Sequence, residues 1–229
     1  MSARRHPTKD TAMSISLRPG LSFCTVGGRT IFLDRASGRY FALPPAVELG
    51  FNALVGDPGS AVEDASHDLV ERNILVTSGV ASPIEPCAAT APTRSITGER
   101  IRVDARLVAR AASLFLRVTL KLRFRGIDAT LRDLSARLTG EPRTAVDHAF
   151  LARAARAFAL IGLVFSPEDR CLPRGLALAA LLREHGVAAR IIIGVADDPF
   201  RAHCWVQLDD VVLGDSLDQV IDYTPVHSC

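Results

Sequence analysis

No uninterrupted apolar run in this sequence reaches the ~18 residues that would suggest a membrane span, so membrane association is not expected. Residues 1–12 (MSARRHPTKDTA) lack the apolar core of a signal peptide and read as a loose, disordered tail. No GxxxxGK[ST] phosphate loop occurs, so no nucleotide pocket or other bound cofactor is expected in the chain itself. There is no CxxC and no helical histidine pair, which counts against a metal site built from Cys171, His203, Cys204, His227 and Cys229. The net charge of +2 does not suggest nucleic acid as a partner. Five cysteines, an odd number without framework spacing, suit free thiols in a reducing cytoplasm. What is present is an ordinary globular mixture, 48% hydrophobic and 23% charged, in 229 residues. That length accommodates two small domains or one larger one.

Against this background a Cys, a His and an Asp stand out near the C-terminus. Residues 172–185 (LPRGLALAALLREH) read as a helix with Leu172, Leu176, Ala179 and Leu182 along one face. Pro173 suits its first turn and Gly186 its stop. Cys171 therefore lies at the positive end of a helix, where thiolate is favoured. The dipole supplies at most ~2 kcal/mol, or roughly 1.5 pKa units. Strongly activated thiolates lie about 4.5 units below a free thiol, so most of the shift has to come from a neighbouring cation. A histidine in contact would provide it.

Residues 189–196 (ARIIIGVA) read as a strand, 197–202 as a loop and 203–208 (HCWVQL) as a second strand. The chain then turns at Asp209 and Asp210 into 211–215 (VVLGD). In an antiparallel hairpin centred on that turn His203 opposes Asp215, or Ser216 one step away. Opposed residues share a face with Cβ atoms ~5 Å apart, which lets a carboxylate hold one imidazole nitrogen and leaves the other for Cys171. Asp218 and Asp222 are weaker candidates for the carboxylate. Taken singly, Cys171 and His203 would be ordinary core and strand residues.

Upstream, short alternating segments over residues 14–43 (SISL, LSFCTV, TIFLD, RYFAL), punctuated by Gly27-Gly28 and Ser37-Gly38, predict a small antiparallel sheet. Helices over about 46–55 and 61–73 follow. Residues 83–99 are rich in Pro, Thr and Ala and read as a linker. Residues 101–124 (IRVDARLVARAASLFLRVTLKLRF) carry arginines through an apolar background. They form either a core helix with snorkelling arginines or a docking face for an acidic partner or membrane surface. More helix is expected at 129–138 and 144–160.

The stretch CLPRGLALAALLREHGVAARIIIGVADDPFRAHCWVQLDDVVLGD, residues 171–215, resembles the transglutaminase-like cysteine protease domain of lasso peptide B proteins. The phrase DRASGRYFAL, residues 34–43, resembles the PqqD-like leader-recognition module of peptide-maturation enzymes. Together these resemblances imply an α+β chain in two parts. A winged-helix-like sheet with helices (13–82) binds the leader of a ribosomal precursor, and a papain/transglutaminase-like domain with helices on an antiparallel sheet (100–229) cuts the leader–core bond. They imply Cys171 as nucleophile, His203 as general base and acid, Asp215 as the orienting carboxylate, and Trp205 packed beside the site. They imply a leader strand added along residues 39–43, with Arg39, Tyr40, Phe41 and Leu69 contacting the peptide. They further imply a lasso precursor and an ATP-dependent, asparagine synthetase-like cyclase as partners, any ATP being required through that cyclase. A transamidase acting on an amine, or a non-catalytic module delivering the precursor, would fit the same residues.

Overall fold

A computed structural model describes residues 14–56, 63–78, 83–98, 101–136, 147–164 and 171–229; the expected tail at 1–12 lies outside them. In chain order the first elements are β1 (Ser14–Leu17), β2 (Leu21–Val26), β3 (Arg29–Asp34), β4 (Arg39–Ala42), α1 (Pro45–Gly56), α2 (Glu63–Glu71) and β5 (Leu75–Ser78). Then come β6 (Arg94–Ile96), α3 (Ala105–Ala136), α4 (His148–Val164), α5 (Cys171–Glu184), β7 (Arg190–Ala196), β8 (Arg201–Leu208), β9 (Val211–Leu213), α6 (Leu217–Val220) and β10 (Thr224–Ser228). The architecture is mixed α+β, as the sequence predicts, with small sheets N-terminally and helices on a larger sheet C-terminally.

The described residues form two compact units, one within the stretches 14–21 and 43–85, the other within 22–42 and 86–229. In the first, β1 and β5 pair antiparallel, and Phe51, Leu54, Leu69 and Leu75 are almost wholly buried. The second contains the three-stranded sheet β2-β3-β4 and a five-stranded sheet ordered β10-β7-β8-β9-β6. Its β7–β8 and β8–β9 pairs are antiparallel and its β6–β9 pair is parallel, so the sheet is mixed where the sequence predicts an antiparallel one.

The β2–β4 sheet, expected within an N-terminal module, belongs to the second unit. Gly27 and Gly28, both at positive φ (57° and 76°), close the two-residue turn between β2 and β3. Asp34 organises the next turn by accepting from the Ala36 N–H at 3.0 Å and the Ser37 hydroxyl at 2.9 Å. Alternation then separates two faces. Phe23, Phe32 and Phe41 make an aromatic ladder with ring centroids 5.6 and 5.2 Å apart. Cys24, Ile31 and Leu33 join the same core as α3, α4, α5 and β7, and this burial ties the sheet to the second unit.

Residues 86–98, within the stretch read as linker from composition, are part of the second unit. Arg94 and Ile96 pair with Val211 and Leu213, and Cys87 donates its N–H to the Phe23 carbonyl at 2.8 Å. Pro and Thr lower helical periodicity without preventing an edge strand. In α3 the chain breaks at Gly126 (φ 76°, ψ 179°), dividing an N-terminal helix whose Ala111, Leu114, Phe115 and Val118 are core from a shorter one carrying Leu131 and Leu134. The arginine-rich stretch is thus a core helix with its charges outward, Arg110 pairing with Glu184 and Arg125 with Asp133.

Helix α5 is buried on more than the one face its leucines predict. Gly175, Leu176, Ala177, Leu178, Ala179, Leu181 and Leu182 are all buried, because α3 and α4 pack against the helix as well as β8. Small residues permit that approach: a Cβ at Gly175 would lie 3.2 Å from the Cys204 Sγ. This close packing carries the start of α5 to the middle of β8.

Candidate active site

Cys171 is the first residue of α5 and Pro173 is in its first turn. At the other end Gly186 (φ 78°) allows a Schellman stop, with the Val187 N–H bonded to the Leu182 carbonyl and the Gly186 N–H to that of Arg183, each at 3.0 Å. The helix is therefore fixed at both ends, and its half-buried thiol faces β8.

His203 lies on β8, opposite Gly194 of β7. On the other side β9 pairs only as far as Val206 with Leu213, Gln207 with Val212 and Leu208 with Val211. Continued regularly, this register would put Asp215 opposite Cys204, on the face away from His203. Gly214 prevents that: its φ of 85° leaves extended backbone and turns the next residue over. The Asp215 Oδ2 consequently lies 3.7 Å from His203 Nε2, an ion-pair separation longer than a hydrogen bond. With Nε2 turned to Asp215, Nδ1 is the nitrogen left for Cys171.

The three residues shift one another's proton affinities in the direction thiol chemistry needs. For Cys171 burial pushes the thiol up, but the hydrogen bond and charge of His203, with the Cys204 and Leu172 N–H groups, outweigh it and the net direction is down. His203 is pulled down by burial and pushed up more strongly by Asp215 and Cys171, reaching about 9 from its ordinary 6.5. Burial raises Asp215, and contact with His203 and Arg174 overcomes this to hold it below the usual carboxylate range. The neighbouring Cys204 goes the opposite way: burial foremost, then the nearby thiol and carboxylate, drive it well above 9.0. Two neighbouring cysteines thus divide into a thiol lowered towards thiolate and a buried one held protonated.

Arg174, which the sequence reading passed over, donates from Nη2 to Asp215 Oδ1. Its signal was available, since a residue three beyond Cys171 lies on the same helix face. Around the imidazole, Trp205 stacks at 6.2 Å between centroids and Tyr223 lies at 5.5 Å. Trp205 is 1% exposed and donates to Gln207 Oε1 at 3.0 Å, so its ring is packed beside the imidazole with little surface open to solvent. Its ring overlies Gly194, where a Cβ would come within 2.7 Å of it.

The residues expected to contact a leader are divided. Leu69 is 1% exposed in the core of the first unit, whereas Arg39, Tyr40 and Phe41 lie in the second. Arg39 is exposed on β4, an outer strand of its sheet, while Phe41 stacks on Phe32. Tyr40 packs on the core that includes Cys171, edge to face with Phe200, and its phenol is raised by burial and then by the charges of Cys204 and Cys171. Of the rival metal constellation, His203 and Cys204 approach Cys171, but His227 pairs with Arg35. Among the described residues no group of three or more His, Cys, Asp or Glu side chains could hold a metal ion, and no helix is long and apolar enough to cross a membrane.

Comparison with known protein families matches residues 112–228, slightly more than half of the chain, to the transglutaminase-like superfamily. The match includes Cys171, His203, Asp215 and Arg174 and excludes β1–β6. No curated protein and no solved structure matches the chain.

Proposed function

The chain belongs to the transglutaminase-like superfamily, and from its site we propose that it is a cysteine peptidase that removes the leader from a ribosomally made lasso precursor. The observation that carries this reading is the convergence of a thiol lowered by an imidazole with a buried carboxylate behind that imidazole. The Cys171 thiolate attacks the carbonyl at the leader–core bond, and the Cys171 N–H at the helix start supports the developing oxyanion. His203 gives its proton to the leaving amine. It then takes one from water, which hydrolyses the thioester and frees the thiol.

The outer strand β4 supports leader binding by strand addition, since among the described residues no further strand pairs with its outer edge, beside exposed Arg39. Tyr40, on the same strand and close enough for the charge of Cys171 to act on its phenol, fits a role guiding the peptide inward. The freed core would pass to an asparagine synthetase-like cyclase that uses ATP to close the macrolactam. Superfamily membership equally suits transfer of the acyl group to an amine, so the nature of the product is the discriminating readout.

The test is mass spectrometry of a candidate precursor incubated with the protein and with Cys171→Ala, each with and without cyclase and ATP. Cleavage at one junction by the unmodified protein alone supports the peptidase. A cross-linked product indicates a transamidase, and full processing by Cys171→Ala makes the chain a delivery module.

A further inference from the structure

We infer that Arg174 is a positioning residue, holding the carboxylate of Asp215 in the orientation that serves His203 and fixing it to the helix that carries the nucleophile. The inference rests on the reading of Cys171, His203 and Asp215 as the catalytic triad. The Asp215 carboxylate is shared, with Oδ1 accepting from Arg174 and Oδ2 facing His203 Nε2 at 3.7 Å. The Asp215 side chain is 7% exposed and that of Arg174 31%, so the pair is largely screened from water. Asp215 itself follows a glycine at positive φ, just beyond the last residue of β9, where the β-ladder no longer fixes its direction. A bond from the rigid first turn of α5 supplies the missing constraint.

Helix stability does not account for an arginine at this position, because a cation in the first turn opposes the helix dipole. Nor does Arg174 serve the thiol directly. Its charge acts on Asp215 and on the buried Cys204, whereas the Cys171 thiol is held by His203 and two backbone N–H groups. Arg174 therefore influences the nucleophile through the carboxylate and the imidazole, and its removal should loosen the imidazolium and with it the thiolate.

The test needs no substrate. Iodoacetamide alkylation of Cys171 is followed against pH by peptide-resolved mass spectrometry, which separates it from the other cysteines, in the unmodified protein, Arg174→Ala, Arg174→Lys, Asp215→Asn and Arg174→Ala/Asp215→Asn. Thermal melts are recorded alongside. Arg174→Ala should move the thiolate titration upward by about one unit, an approximately tenfold loss of alkylation rate on the acid side. Arg174→Lys, which keeps one donor and the charge, should recover part of the shift. Asp215→Asn should shift in the same direction, and the double variant no further. An unshifted titration in Arg174→Ala with a shifted one in Asp215→Asn overturns the inference alone, as does additivity in the double variant. An unshifted titration in Asp215→Asn overturns the triad reading itself. Should Arg174→Ala not fold, Arg174→Lys decides, since an unmoved titration there together with a changed melt indicates a merely structural cation.

Discussion

The two halves of β8 share one alternation and differ in what flanks them. At Val206 and Gln207 the strand is paired with β7 on one side and β9 on the other, and both residues are buried. From Arg201 to Trp205 only β7 accompanies it, and Arg201 and Ala202 are exposed. Where the ladder is complete, polar groups are used up internally: Gln207 donates to the carbonyls of Thr90 and Asp209, each at 2.7 Å, and accepts from Trp205. Where it stops, the Cys204 N–H is available to the Cys171 sulfur and His203 to its thiol. The candidate site thus lies at the point where the β8–β9 hydrogen bonding ends, beside a stretch whose buried amide, Gln207, is hydrogen-bonded.

The most severe way to break this contrast is Cys171→Ala, which should lower peptide hydrolysis by about 10³-fold or more, while Cys204→Ala leaves most turnover in place. Hydrolysis rates with a cleavable precursor check both. Next is Gly214→Val, which forces a branched residue to φ 85° and a Cβ within 3.3 Å of Leu178. Misdirection of Asp215 should then cost about 10- to 100-fold in turnover, measured against a melt that falls by only about 1–2 kcal/mol of stability.

A smaller effect sharpens the comparison from the other half. Gln207→Leu leaves two carbonyls and the Trp205 N–H unpaired and should cost about 1–3 kcal/mol in denaturant titration, with the Cys171 alkylation profile unchanged. The smallest expected change is with pH. His203 is raised from 6.5 to about 9, so its contribution to stability is complete below its unfolded value and lost as pH rises through about 9. The rate should decline over the same range as the proton needed by the leaving amine is lost. A pH–rate profile with its alkaline limb near neutrality instead would mean that Asp215 does not support the imidazolium.

Much of this half of the molecule is legible in the sequence. The stop at Gly186, the first-turn Pro173 and the Asp209-Asp210 turn are local signals with local causes, and they place Cys171 and His203 correctly in the chain. The hairpin register follows from the turn, and of the two alternatives open in the sequence the structure adopts the one that puts Ser216, not Asp215, in line with His203. Asp215 is nevertheless the acid that reaches the imidazole, since one glycine reverses the face of the residue after it. Less was legible upstream: a sheet at β2–β4 is evident from alternation, but alternation does not say which unit its apolar face joins.

The sequence by itself determined the kinds of residue at the ends of α5, β8 and β9, and so the chemistry open to them, because capping, turn formation and strand period act over a few neighbouring residues. Only the tertiary structure decided that Arg174 clasps Asp215, that β6 lies along β9, and that β2–β4 share a core with α3, α4 and α5. Those outcomes depend on which distant apolar faces fit together. Hydrophobic burial is non-directional, so a periodic pattern gives a face its character and leaves its partner to be selected by packing.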